Sequence, residues 1–181
     1  MGPITYALCK KPVIGIAMFI ASLCAFPPLV HHVPVSLEAQ GDAVSGTFTV
    51  PVEKSYELDL VFEFPSREAM TEDQVAGKNY DEYCEHVPLN ETEWIPGNVR
   101  GRPIPLQVLV RDEADGRIVV DRIFNTLCIY SHGATTFDKW RKIGRVTLPI
   151  GEYSFELKNL KAQAGLIGVH TYVSLIAGHG K

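Results

Sequence analysis

Gly144-Arg145-Val146-Thr147-Leu148-Pro149-Ile150-Gly151-Glu152-Tyr153-Ser154-Phe155-Glu156-Leu157-Lys158-Asn159 is the stretch whose reading decides the fold. Val146 and Leu148 alternate with polar residues before the Pro149-Ile150-Gly151 corner. Tyr153, Phe155 and Leu157 alternate with Ser154, Glu156 and Lys158 after it. A period of two puts each apolar set on one face of an extended chain. The stretch reads as a hairpin that buries one face only and needs a second sheet to cover it.

Working outward, the same pattern recurs. Phe48 and Val50 share one side of residues 44–50, and Tyr56, Leu58, Leu60, Phe62 and Phe64 alternate with Glu57, Asp59, Val61 and Glu63. That strict alternation predicts a strand with one wet face, on which the three acids are solvated. Leu106, Val108 and Val110 form another inward row, and Asp115-Gly116 joins it to residues 118–124 as a hairpin. Residues 166–176 supply a last strand, with Ile167, Val169, Val173 and Leu175 on one face. The whole predicts a mainly β protein, an antiparallel β-sandwich of jelly-roll or immunoglobulin-like type, over residues 35–177. Val35 and Leu37 open its first strand, residues 27–34 with His31 and His32 are a solvated linker, and residues 178–181 are a tail.

An insertion at about 66–101 interrupts the strands. Thr71-Glu72-Asp73-Gln74 reads as a capping box for a short helix ended by Gly77, and Asn79-Tyr80-Asp81-Glu82 repeats the signature ahead of Cys84.

The N-terminus speaks to location. Lys10 and Lys11 precede an uncharged run, most apolar over residues 13–26, and Pro27-Pro28 ends it short of a membrane span. Residues 1–26 are expected to be a signal peptide or N-terminal anchor, with the body periplasmic, secreted or held at the inner membrane facing the periplasm. Of the four cysteines, Cys9 and Cys24 fall in this segment. In an oxidising envelope Cys84 and Cys128 are expected to form a disulfide that staples the insertion to the sheet.

Composition narrows the partners. The 181-residue chain has a formal net charge of -4 and no Lys/Arg-rich tract, which excludes general nucleic-acid binding. No Cys/His spacing points to a metal, no motif points to a cofactor, and no Gly-x-Ser-x-Gly elbow accompanies Ser131-His132. Catalytic residues are therefore not assigned.

Residues 56–64, 104–110 and 148–157 together resemble a family of uncharacterised bacterial envelope proteins grouped only as a domain of unknown function. The resemblance covers most of the exported body and implies a β-sandwich and bacterial export. It carries over no catalytic residue.

The functional expectation is a non-enzymatic exported binding protein, in one version an immunity-like inhibitor of an envelope-acting enzyme. Arg67 to Glu93 holds eight acidic and two basic residues. This insertion is expected to meet a protein partner with a basic surface, through Asp73, Asp81, Glu82 and Glu85 with Trp94 beside them. Trp140, within Lys139-Trp140-Arg141-Lys142, is the second candidate surface. Two alternatives stay open. One is a glycan-binding module that uses Trp94, Trp140 or Tyr130 as stacking platforms. The other is a hydrolase, which requires His132 or His170 beside an acid in a concave pocket.

Overall fold

The alternation around Pro149 holds, but the strands on either side of it lie in different sheets. The computed structural model describes residues 28–77, 101–126, 129–133 and 136–177. Its strands are β1 (Val30–Pro34), β2 (Ala43–Val50), β3 (Lys54–Glu63), β4 (Ile104–Asp112), β5 (Ile118–Thr126), β6 (Ile129–His132), β7 (Asp138–Leu148), β8 (Gly151–Asn159) and β9 (His170–Ala177). One sheet runs β1-β9-β3-β7-β6 and the other β2-β8-β4-β5. All pairings are antiparallel, which makes an antiparallel β-sandwich of jelly-roll type. The Pro149-Ile150 link is a corner between sheets and not a hairpin turn. Val146 and Leu148 thus meet the β8 row of Tyr153, Phe155 and Leu157 within one core, without sharing a ladder with it.

Two tyrosines brace the corners at this end. Tyr153 Oη donates to Pro149 O at 3.1 Å and Tyr56 Oη to Val52 O at 2.6 Å, so each ring stays buried while its hydroxyl ties down the preceding turn. Gly144 sits where a Cβ would come within 2.2 Å of the Phe124 ring, so glycine is required for that close packing. The Asp115-Gly116 hairpin forms as expected between β4 and β5, with Gly116 in the left-handed region.

Three local expectations need correction. Residues 30–34 are strand β1, paired with β9, and not a linker: Val30 is buried, and Val30 and Val33 pair with Leu175 and Val173. The helix over Arg67–Glu72 (α1) starts one turn before the expected box. Its cap is Ser66, whose Oγ accepts from Ala69 N, because Ser66 follows directly on the break at Pro65. The last strand begins at His170 rather than Leu166. Gly165 and Gly168 take left-handed φ values and turn Ile167 outward to 94 % exposure. Among the described residues no helix is long and apolar enough to cross a membrane.

Candidate functional site

The outer face of the five-stranded sheet is where the chemistry gathers. Alternation along β3 points Glu57, Asp59, Val61 and Glu63 to this face. Register places Arg145, Lys142, Trp140 and Asp138 of β7 on one side and Ile176, Ser174, Tyr172 and His170 of β9 on the other. The expected wet face is not wet: Glu57, Asp59 and Val61 are buried and only Glu63 is exposed. β3 is the central strand, so side chains from both neighbours close over it.

At the centre of this face Glu57 is ion-paired with Arg145 Nη2 at 2.7 Å and Lys142 Nζ at 3.5 Å. Asp59 is fully buried. Its Oδ2 accepts from Tyr130 Oη of β6 at 2.8 Å, and its Oδ1 has no hydrogen-bond partner. Burial, opposed by the Tyr130 hydrogen bond, pushes the carboxyl up to about 7.

Farther along the same face the aromatic side chains of three strands converge. His32 of β1 lies 5.6 Å from Trp140 and 5.5 Å from Tyr172, ring centroid to ring centroid, and stacks on His31 at 4.3 Å. Glu63 and Asp138 flank the group. Tyr172 also belongs to a cleft of about 360 Å³, with residues 34–38 on one wall and Leu166 with residues 169–172 on the other. His170 lines the cleft and is the register partner of Glu63, yet no ion pair joins them among the described residues. Also among the described residues, no group of three His, Cys, Asp or Glu is placed to hold a metal ion.

Asp73 is not a surface contact. It is buried beside Lys139, its Oδ2 2.8 Å from Lys139 Nζ, and its carboxylate accepts from Val75 N, Ala76 N and Gly77 N. The carboxylate expected to meet a partner thus holds the loop after α1 in place. Strand periodicity splits the Lys139-Trp140-Arg141-Lys142 cluster in the same way, turning Lys139 and Arg141 inward and leaving Trp140 and Lys142 on the outer face. Arg141 is fully buried and donates to the carbonyls of Val75, Ala76, Arg102 and Thr126. Its role is to pin the loop after α1, the chain at Arg102 and the end of β5 to the sheet.

Of the remaining expected site residues, Asp81, Glu82, Glu85 and Trp94 lie outside the described residues, as do Cys84 and Cys128 of the expected disulfide and the side chain of His132. None of His32, Glu63, Asp138 and Tyr172 was assigned to a site from the sequence, where His32 read as part of a solvated linker and Glu63 as a solvated strand residue. Only the pairing of strands far apart in the chain brings them to Trp140.

Comparison with known proteins adds the following. A family model described as a domain of unknown function (DUF5625) matches residues 32–177. A crystallised protein from Sulfurospirillum deleyianum shares the fold with a TM-score of 0.63 at 19 % identity, over 84 % of this chain and 100 % of that one. A carbohydrate-binding module of Cellvibrio mixtus lichenase 5A, solved with cellotriose, aligns with a TM-score of 0.34 at 10 % identity, over 86 % and 99 % of the two chains. No curated protein matches the sequence.

Proposed function

The chain belongs to the DUF5625 family of domains of unknown function, and from that premise we propose a non-catalytic binding domain that holds a carbohydrate chain on the outer face of its five-stranded sheet. The observation that carries this reading is the continuity of the ring cluster with the adjacent cleft through Tyr172. Sugars offer apolar C–H faces and hydroxyl edges. Half-buried Trp140 and Tyr172 suit the faces, while Glu63, Asp138 and His170 suit the edges. The cleft volume lies in the range of small-ligand sites, roughly 300–1,000 Å³. Export, which the charged and apolar N-terminal segment supports, would bring the domain to the polymers of the cell envelope.

The test is calorimetric titration of the protein with soluble β-linked oligosaccharides. Binding is expected to weaken about tenfold or more in Trp140→Ala and in Tyr172→Ala, with circular dichroism unchanged. Binding as tight in both folded variants as in the wild type would remove the ring face from the function, and so would absence of binding to every oligosaccharide.

A further inference from the structure

His32 reaches the ring cluster by an unusual route. Its backbone is left-handed at φ 46°, a conformation disfavoured for any residue with a Cβ. The β1 register breaks between Val30 and Val33, and the His32 N–H is held by Ser174 Oγ at 3.1 Å. The imidazole is thereby set against Trp140 and Tyr172, within the distance at which an aromatic face attracts a cation. The groups that face it are His31 of β1, Glu63 of β3, Asp138 of β7 and the Tyr172 ring of β9. Neither acid is ion-paired among the described residues, and Asp138 Oδ1 is buried with no hydrogen-bond partner. Two aromatic rings and two carboxylates without an ion-pair partner among the described residues thus line one side of a position that is open to solvent on the other, Asp138 Oδ2 accepting from Thr136 Oγ1 at 3.0 Å. That is an environment for positive charge, filled here by a side chain that carries charge only when protonated.

We infer that this position is the subsite for a cationic group, the ammonium of an amino sugar, and that His32 is its internal occupant, displaced when the ligand binds. The inference rests on the carbohydrate reading of the same face and adds the charge of the ligand to it. Desolvation against the rings and the neighbouring His31 lower the His32 pKa, against the opposing pull of Glu63 and Asp138, so the imidazole gives up its proton more readily than a free one. The neutral ring yields to an ammonium. Acidification places an imidazolium in the subsite, and the two cations then compete.

The experiment titrates the full chain with a β-1,4-linked glucosamine oligomer and with its fully N-acetylated counterpart, at about pH 7 and about pH 5. The amine form is expected to bind about tenfold tighter at the higher pH. That preference should vanish in the double variant Glu63→Gln, Asp138→Asn, the amine form then binding no tighter than the acetylated oligomer does to the same variant. Acidification should weaken binding of the amine form in the wild type but, because it also completes protonation of the sugar amines, should not weaken it in His32→Ala. Equal affinity for the two oligomers would overturn the charge inference while leaving the carbohydrate reading in place, whereas failure of both to bind would remove the carbohydrate reading itself. An acid-induced loss that persists in His32→Ala would overturn the role of His32 as occupant.

Discussion

Asp73 and Asp59 are both buried carboxylates beside β7, and they are supported in opposite ways. Asp73 accepts from three backbone N–H groups and from Lys139, so its negative charge is met on every side. Asp59 has the Tyr130 hydroxyl as its hydrogen-bond partner, and its second oxygen is unpartnered. Its charged neighbours oppose each other, since Glu57, two residues away on β3, repels a second negative charge and Lys142, across on β7, attracts it. A carboxylate set in a full ring of donors is a structural fixture. One left half-satisfied on the face that carries the ring cluster is a group whose protonation the surroundings can change.

The largest effect that would test this contrast is expected from Asp73→Ala. It takes the counter-charge from buried Lys139, which keeps its bond to Gly77 O, and leaves three backbone N–H groups without their acceptor, and should cost about 4 kcal/mol in urea unfolding. A loss under 1 kcal/mol would mean that the loop after α1 is not anchored through this carboxylate.

Asp59 should instead show itself through pH. Its folded-state pKa of about 7 stands above the unfolded value of 3.8, so between these values the folded chain keeps a proton that the unfolded chain has released. The stability from this group is complete below about pH 4 and is lost as pH rises through about 7, a fall of roughly 4 kcal/mol at most. Unfolding across that window should show the slope in the wild type and lose most of it in Asp59→Asn. An unchanged slope in the variant would assign it to another group.

Smaller still is the expected effect of Tyr130→Phe, about 1 kcal/mol at acidic pH, where the hydrogen bond to the protonated acid is lost. Because that bond lowers the Asp59 pKa, its removal should shift the carboxyl titration upward in carbon-detected NMR. A downward shift would show that the bond favours the protonated acid over the carboxylate.

The contrast also shows how far the sequence could be read. Both acids stood in the sequence as exposed charges, Asp59 by strand alternation and Asp73 by its place in an acidic insertion, and both are buried. Alternation along residues 56–64 correctly placed Tyr56, Leu58, Leu60 and Phe62 in the core. It could not tell that β3 would lie between β7 and β9, whose side chains cover the opposite face. A basic run such as Lys139–Lys142 reads as one surface cluster until the strand divides it, two residues to each side.

What the sequence determined by itself was the sandwich, the inward rows of its strands and the Asp115-Gly116 hairpin, because a period of two and a turn dipeptide act over a few residues. Only the tertiary structure decided that β7 and β8 part company at Pro149. It also decided that Asp59 goes under cover and that His32, Trp140 and Tyr172 meet. Those outcomes depend on which strands far apart in the chain pair, and that choice is settled by burial summed over the whole core, which no local pattern records.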